Sequence, residues 1–464
     1  MVRGSLYEAR LWRSCLRVLA GCVFLLALAT PAAASLAESG IHAPQRYRLA
    51  NGLDVVLQEN HRQPLVAVIV SYDLGSRDDP AGLDDLAHLV EHLTYRGSRH
   101  LGPYEGHELL QRAGAIELNG RTFPDSTSYE MLLPNTALAQ ALWVESERMA
   151  FTLERFDATS FELERAVVRG ERDGRNTAEH LLDQLARNAY FGEQHVYARA
   201  TAPRRVLRGA SLRHAQWLFQ QGYRPSNARL VIVGDFEPRA AAALIERYFG
   251  PVSNPRVAFA RAPSSGARGS VSRLELRLRT SVERLVALWP APVPGSPERA
   301  AAELALNPVR AAIRRQLVAG RLSAGAELGF QDAELGSVLR LRVELASGHA
   351  HAEVEASVGR AMADAARIDW EEVLPRLRER AWLAELHTLE SPLATARAHL
   401  RSLRYRGRPF ELGQRSRELQ AVTAAQLRAV PSLFESHRVV VGHLVRARPN
   451  EVVPEGGRVL VSPR

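Results

Sequence analysis

Two histidines and a glutamate stand at metal-binding spacing in His88-Leu89-Val90-Glu91-His92. On an α-helix, residues four apart project from one face, so His88 and His92 would present two imidazoles side by side, with Glu91 next to them. Two imidazoles and one carboxylate suit zinc, which takes three protein ligands and keeps one position open for water. Glu91 would then serve as the general base toward a water whose pKa the metal lowers to about 7. The alternative is a partly buried helix whose two histidines are simply hydrogen-bonded.

The third metal ligand should be a carboxylate from another part of the chain. The predicted helix 161–172 carries Glu164 and Glu171, which are seven residues apart and therefore lie on one helix face, two turns from each other. The alternative for this pair is a solvated helix face on which both glutamates form ion pairs with neighbouring arginines.

Together these residues resemble the pitrilysin-type (M16) metallopeptidases, whose inverted zinc motif has the order His-x-x-Glu-His. The resemblance covers roughly residues 45–250, with weaker similarity over 271–450. It implies a peptidase with one zinc ion per chain, ligated by His88, His92 and Glu171, with Glu91 activating water. It also implies that Glu164 orients a ligand or the water from behind.

The same resemblance assigns a substrate-binding role to Asn119. In the family an extended peptide pairs with a sheet edge near the zinc, and this mode of binding favours flexible peptides over folded proteins. Asn119 has a structural alternative, because Asn119-Gly120 is also a turn sequence.

Three departures from the family pattern bear on the activity. The family usually has alanine where Gly120 stands, and the second half of this chain has no His-x-x-Glu-His. Family members often carry an arginine and tyrosine pair in that half, but the region from Arg314 to Phe330 contains no tyrosine. Since two-subunit members divide the zinc and the substrate pair between chains, we expect a related partner chain without the zinc motif, or a homodimer.

Hydrophobic periodicity and end signals predict the elements that position these residues. Asn51-Gly52 between alternating apolar runs predicts a β-hairpin, and 65–72 a buried strand. Asp78, Asp79 and Pro80 predict the start of the helix that carries the histidines, through about Thr94. The remaining predictions are helices at about 105–114, 136–154, 158–175, 177–191 and 238–248, and strands at about 115–120, 126–133 and 228–233.

The two halves of the chain echo each other. The segment 65–68, running to Gly75-Ser76, is similar to 285–288, running to Gly295-Ser296, at an offset of 220 residues. This repeat predicts a duplicated domain. We therefore expect an α+β fold of two related domains, each a mostly antiparallel sheet packed with helices, enclosing a chamber. The expected limits are 1–34 for a signal peptide, 35–259 for the zinc-bearing domain, 260–270 for a linker and 271–464 for an inactive domain.

The N-terminus has the pattern of an export signal. Four arginines precede the apolar run 18–29, and small residues follow up to Ala34, which predicts a cleavable signal peptide. The run is shorter than the roughly 20 residues that span a bilayer. Retention of the signal as an uncleaved anchor is the alternative. Both cysteines, Cys15 and Cys22, would leave with the signal, so the mature chain is expected in the periplasm or outside the cell, without disulfides.

Composition adds little about chemistry. The 60 basic residues are all arginines, against 51 acidic residues, for a net charge of +9. Basic and acidic residues alternate instead of forming single-sign blocks, which argues against a nucleic acid partner. The sequence thus predicts an exported zinc endopeptidase that cleaves short or unfolded peptides, with no stable membrane span after signal cleavage. The alternatives are a non-catalytic scaffold or assembly subunit of the same fold, and a metal-binding envelope protein without hydrolysis.

Overall fold

The computed structural model describes residues 41–175, 178–192, 195–198, 207–255, 271–435, 439–448, 450–454 and 457–463. The predicted signal peptide and the predicted linker lie outside these residues. Among the described residues, no helix is both long enough and apolar enough to cross a membrane.

Strands from the first half build one six-stranded sheet in the order β1-β2-β6-β3-β5-β4. Neighbouring strands are antiparallel except β2 and β6, which are parallel. The strands are β1 Gln45–Arg48, β2 Asp54–Glu59, β3 Leu65–Tyr72, β4 Glu117–Thr122, β5 Thr127–Pro134 and β6 Ala228–Gly234.

Strands from the second half build a second six-stranded sheet in the order β12-β7-β11-β8-β10-β9. Here β7 and β11 are the parallel pair. The strands are β7 Val271–Leu278, β8 Arg284–Pro290, β9 Ser323–Gln331, β10 Val338–Leu345, β11 Val440–Arg446 and β12 Arg458–Pro463. Five strands of each sheet correspond one to one in chain order and in position, so the two halves repeat one topology. The sixth strand differs between the sheets. In the first half β1 comes before the other five strands along the chain, whereas in the second half β12 comes after the other five.

Helices cover these sheets. In the first half they are α1 Leu86–Leu93, α2 Glu105–Arg112, α3 Leu138–Phe151, α4 Ala158–Arg175, α5 Ala178–Phe191, α6 Leu212–Gly222 and α7 Pro238–Phe249. In the second half they are α8 Pro297–Ala319, α9 His351–Ala366, α10 Trp370–Glu390, α11 Pro392–Arg406, α12 Gln414–Gln420 and α13 Ala424–Ala429.

The central strands of the first sheet are buried on both faces. In β3 the residues from Val66 to Val70 are fully buried, as are those from Leu230 to Val233 in β6. Such runs of branched apolar residues fit a sheet that is covered on both sides. One face packs against α1 and α3 in the main core, and the other forms a separate cluster with the second half of the chain.

The two halves exchange one helix each. From the second half, α11 places Leu393, Ala396 and Leu403 on the face of the first sheet that α1 does not cover. In the other direction, α5 of the first half places Leu182 and Ala186 on the second sheet. A buried hydrogen bond of 2.7 Å between His399 Nε2 on α11 and Gln58 Oε1 on β2 anchors the first exchange. Each sheet therefore depends on the opposite half for part of its core.

The predicted fold class is confirmed: the chain has two related, mostly antiparallel sheets packed with helices. Most predicted elements lie within a few residues of the observed ones. The helix after Pro80 is the main difference, because α1 begins only at Leu86. Asp79 still caps it, but from a distance, since its carboxylate accepts the backbone N–H groups of Ala87 at 2.7 Å and Asp85 at 2.9 Å. The intervening residues form turns and the N-cap residue is Asp85, so the predicted start is wrong, although Asp79 accepts an N–H group of the first turn.

Candidate metal centre

Packing in the main core and an ion pair to α4 fix the helix that carries the histidines. Leu86, Leu89 and Leu93 of α1 are fully buried in the main core. Arg172 of α4 forms an ion pair of 2.9 Å with Asp85, the residue before α1. This contact holds the end of α4 against the start of α1. The two neighbouring histidine side chains are 17% and 18% exposed, on the side that faces α4.

The predicted ligands His88, His92 and Glu171 converge. Their nearest ligand atoms all lie within 4.8 Å of one another. Glu171 Oε2 is 3.6 Å from His88 Nε2, and Glu171 Oε1 is 3.6 Å from His92 Nε2. Donor atoms bound to one tetrahedral zinc at about 2.0–2.1 Å are about 3.4 Å apart. Each imidazole nitrogen therefore lies near ligand spacing from one oxygen of Glu171, and closing the cluster around a zinc ion would bring both imidazoles to a single oxygen and leave a fourth position for water.

Glu164 lies directly behind His92. Its buried carboxylate contacts His92 Nδ1 at 3.2 Å through Oε2 and accepts the Tyr104 hydroxyl at 2.9 Å through Oε1. Burial acts to raise the pKa of Glu164, but the hydrogen bonds from His92 and Tyr104 outweigh it and hold the pKa below its ordinary value. A carboxylate at Nδ1 leaves Nε2 as the metal-binding nitrogen. Glu164 is thus placed to orient His92, and it does not enter the ligand cluster itself.

Glu91 is the buried member of the motif, with 6% of its surface exposed. Thr122, at the end of β4, donates a hydrogen bond of 2.7 Å to Glu91 Oε2. Burial raises the pKa of Glu91, and the bond from Thr122 opposes this shift. A carboxyl with a raised pKa, held at one oxygen, suits a general base that must carry a proton and return it.

Gly120 makes room for the other oxygen of Glu91. A Cβ atom at position 120 would lie 2.5 Å from Glu91 Oε1 and 2.6 Å from the Tyr95 hydroxyl. Both distances are far below van der Waals contact. The glycine that departs from the family pattern is therefore explained by the placement of Glu91 and Tyr95 in this chain.

Asn119 is exposed on β4, the edge strand of the first sheet. It sits opposite Glu130 in the β4–β5 ladder, so it is a strand residue and not a turn residue. Among the described strands β4 pairs only with β5, so its outer edge has backbone groups that can pair with an extended peptide.

The metal centre opens into a cleft between the two halves, whose lining residues the sequence did not predict. A cavity of about 530 Å³ is bounded by α1, by the end of β4 and, on the opposite wall, by α5 and β10 of the second sheet. Arg187 on α5 and Arg340 and Arg342 on β10 line that wall. Thr122, Tyr95 and Tyr104 were also missed, because only the tertiary structure brings them to the motif.

A second cavity, of about 740 Å³, lies between α8 and β9. It is bordered by the region from Arg314 to Phe330, which contains no tyrosine. Arg314, Arg315 and Phe330 line it, together with Arg310 and Arg340. The tyrosine expected from the resemblance is absent from this cavity lining within the described residues.

A second group of metal-binding side chains lies near the start of the first sheet. It consists of His42, Glu59 and His61, of which both histidines are exposed. The ring of His61 bridges two carboxylates, at 2.6 Å from Asp235 and 3.2 Å from Glu59. Ion pairs of His61 at the surface therefore explain why these side chains lie close together.

Comparison with known proteins agrees with this architecture. Residues 54–202 match the family model described as insulinase, peptidase family M16, and residues 216–307 match the model of the M16 inactive domain. The two-sheet fold and the matched family models define the class of this protein as a metallopeptidase family. The chain belongs to the pitrilysin-type M16 family.

Individual relatives are distant. The zinc protease PqqE of Helicobacter pylori is 26% identical over 232 residues, which are 49% of this chain and 51% of the relative. The probable mitochondrial-processing peptidase subunit beta of Schizosaccharomyces pombe is 25% identical over 205 residues, 44% of each chain. The alignments thus span about half of these relatives' length or less. The crystal structure of a protease from Helicobacter pylori has a TM-score of 0.77 at 19% identity and covers 87% of this chain and 99% of that chain, which is a likeness of fold.

Proposed function

We propose that this chain is an exported zinc-dependent endopeptidase of the M16 family. The observation that carries the proposal is the convergence of His88, His92 and Glu171 beside the buried carboxylate of Glu91. A non-catalytic scaffold has no physical need for this combination of ligands and base.

The chain's own residues have distinct roles in the proposed reaction. His88, His92 and Glu171 would hold zinc, which when bound polarises the scissile carbonyl and lowers the pKa of a water molecule. Glu91 Oε1 takes the proton of the attacking water and later delivers it to the leaving amine. The hydroxyl of Thr122 keeps the other oxygen of Glu91 in place during both transfers. Glu164 orients the ring of His92.

The proposed substrate is a short or unfolded peptide. Backbone pairing along the free edge of β4 selects an extended chain, because a folded protein does not offer one. In this proposal Asn119, which is exposed on that strand, would form a hydrogen bond with the bound peptide. The proposed limits are 35–259 for the zinc-bearing domain, 260–270 for the linker and 271–464 for the inactive domain. Residues 1–34 are proposed to direct export.

We further propose a second chain in the active assembly, either a related chain without the zinc motif or a second copy. The absence of tyrosine from the described lining of the α8–β9 cavity supports this proposal. So does the name of one relative, which is a subunit of a processing peptidase.

The test combines metal analysis with cleavage of a mixed pool of unstructured peptides, for the chain from residue 35 and for its Glu91→Gln variant. We expect one zinc per chain in both proteins and cleavage by the parent alone. Zinc in both without cleavage would favour either the need for a partner chain or the envelope metal-binding alternative. Absence of zinc from both would favour the scaffold.

A further inference from the structure

The wall of the cleft that faces the metal centre is strongly basic. Five arginines line the 530 Å³ cavity, against three acidic residues, Asp85, Glu91 and Asp183. Arg340 also lines the neighbouring 740 Å³ cavity, which contains three more arginines and a single glutamate. The basic surface therefore continues from the metal centre to the groove between α8 and β9.

Internal ion pairs account for only part of this charge. Arg172 is paired with Asp85 at the start of α1. On the opposite wall, the buried Asp183 is shared by Arg340, at 3.2 Å, and Arg342. Asp183 thus forms ion pairs with two guanidinium groups, and Glu327 and Glu179 act on the same two arginines through their charge without a direct ion pair.

Arg187 stands one helical turn beyond Asp183 on α5, on the same side of the helix. Among the described residues, no carboxylate pairs with its guanidinium group. Burial, together with the nearby charge of Arg340, lowers the pKa of Arg187. A guanidinium nevertheless stays charged at any physiological pH. A half-buried cation held beside a second cation is costly unless an anion joins it.

We propose that Arg187, together with Arg340 and Arg342, forms a subsite for an acidic side chain of the peptide substrate. This inference rests on the proposed peptidase function and names the substrate class. Guanidinium groups match carboxylates by two parallel N–H···O bonds. Arg187 would supply these bonds, and the neighbouring Arg340 and Arg342, which line the same cleft, would add positive charge beside the bound carboxylate. The subsite shares the cleft with His88 and Glu91, so the preferred acidic residue lies close to the scissile bond.

The test compares matched peptides that carry glutamate or glutamine at each position around the cleaved bond. For the parent, we expect kcat/KM to be about tenfold higher for a glutamate peptide than for its glutamine counterpart at low ionic strength, and salt should reduce this ratio. In Arg187→Gln the ratio should fall to about one, and Arg187→Lys should retain part of it. Arg360→Gln, which removes the same charge from an exposed position on α9, should keep the parental ratio.

Each peptide is made with a free and with an amidated C-terminus, because the terminal carboxylate has the same chemistry as a side chain. A preference that follows the internal glutamate supports the proposal. A preference that follows only the free terminus, a parental ratio of one, or an unchanged ratio in Arg187→Gln overturns it. Zinc content and thermal unfolding of each variant show that the fold is intact, and Arg187→Lys serves if the glutamine variant is unstable.

A binding arm separates this inference from the proposed function. Fluorescently labelled glutamate and glutamine peptides are titrated onto Glu91→Gln, and anisotropy reports binding without cleavage. If the parent cleaves nothing but this variant binds the glutamate peptide about tenfold more tightly, the subsite stands and the peptidase proposal fails. If the parent cleaves the pool without preference for acidic residues, the subsite fails and the peptidase proposal stands.

Discussion

The contact between Gly120 and Glu91 gives the sharpest prediction about the proposed mechanism. In Gly120→Ala the new methyl group would lie 2.5 Å from Glu91 Oε1 and 2.6 Å from the Tyr95 hydroxyl. A carbon and an oxygen at contact are about 3.3 Å apart, so the carboxylate must move by roughly 0.8 Å. That movement acts on the hydrogen bond of 2.7 Å from Thr122, the group that holds Glu91 in position.

The expected effect is on catalysis more than on folding. A displacement of about 1 Å at a reacting group can cost a hundredfold in rate, so kcat should fall by up to about a hundredfold, equivalent to about 3 kcal/mol. Both crowded atoms are ends of side chains that can turn aside, so the loss of unfolding free energy should stay near the lower end of the roughly 1–3 kcal/mol that overpacking costs. Zinc content should stay at one per chain, because no metal-binding residue contacts the methyl group.

The assay measures kcat on an unstructured fluorogenic peptide, zinc by elemental analysis, and unfolding by denaturant. Gly325→Ala is the matched control, because Gly325 lies on β9, the edge strand that corresponds to β4, and a Cβ there meets nothing within 4 Å. Combining Gly120→Ala with Tyr95→Phe removes one of the two clashes. If crowding of Glu91 sets the rate, the double variant stays slow. Parental kcat in Gly120→Ala would refute the reasoning.

Two further predictions concern single hydrogen-bonded groups. Glu164→Gln should weaken zinc binding by about 10- to 100-fold, because one amide oxygen cannot accept from both His92 and Tyr104; Tyr104→Phe should lose less, and competition with a chelator measures both. Equal zinc affinity in the parent and Glu164→Gln would contradict the orienting role. Burial lowers the pKa of His399 to about 4 from 6.5. The unfolded chain therefore takes up a proton first as the pH falls, and this residue's contribution to stability is lost between about pH 6.5 and 4, amounting to about 2 kcal/mol at pH 5. Denaturant unfolding at pH 7 and pH 5 measures the loss of unfolding free energy, which should be smaller in His399→Gln than in the parent. A variant of the exposed His387 should show the same loss as the parent. Equal losses in His399→Gln and the parent would count against the assignment.

Local patterns made much of the fold predictable. The i, i+4 spacing of His88 and His92 required a helix, and the turn at Asn51-Gly52 separates β1 from β2 as expected. The seven-residue spacing of Glu164 and Glu171 also placed both on one face of α4. It did not predict that the two carboxylates contact different nitrogen atoms of the histidines. That difference arises from the crossing of α1 and α4, which brings one carboxylate to Nδ1 of His92 and the other to the Nε2 atoms.

Other parts of the site were beyond the reach of sequence patterns. Thr122 and Gly120 meet Glu91 only because β4 ends against α1, and no spacing along the chain relates positions 91 and 122. Arg340 and Arg342 come from the other half of the chain and read as ordinary polar positions of an alternating strand. The wall that they share with Arg187 exists only because α5 packs on the second sheet and not on the first.

The helix exchange links the metal centre to both halves of the chain. α4 carries Glu171 and ends three residues before α5 begins, while α5 packs on the second sheet and carries Arg187. In return, α11 covers the face of the first sheet opposite α1, burying Val56 and Ile69. A first half without the second would expose that apolar face and leave α5 without its sheet. The second half has no zinc motif, but its sheet positions one wall of the cleft. Its helix α11 buries the face of the first sheet opposite the helix that carries the motif. The proposed catalytic unit is therefore the pair of halves and not the zinc-bearing half alone.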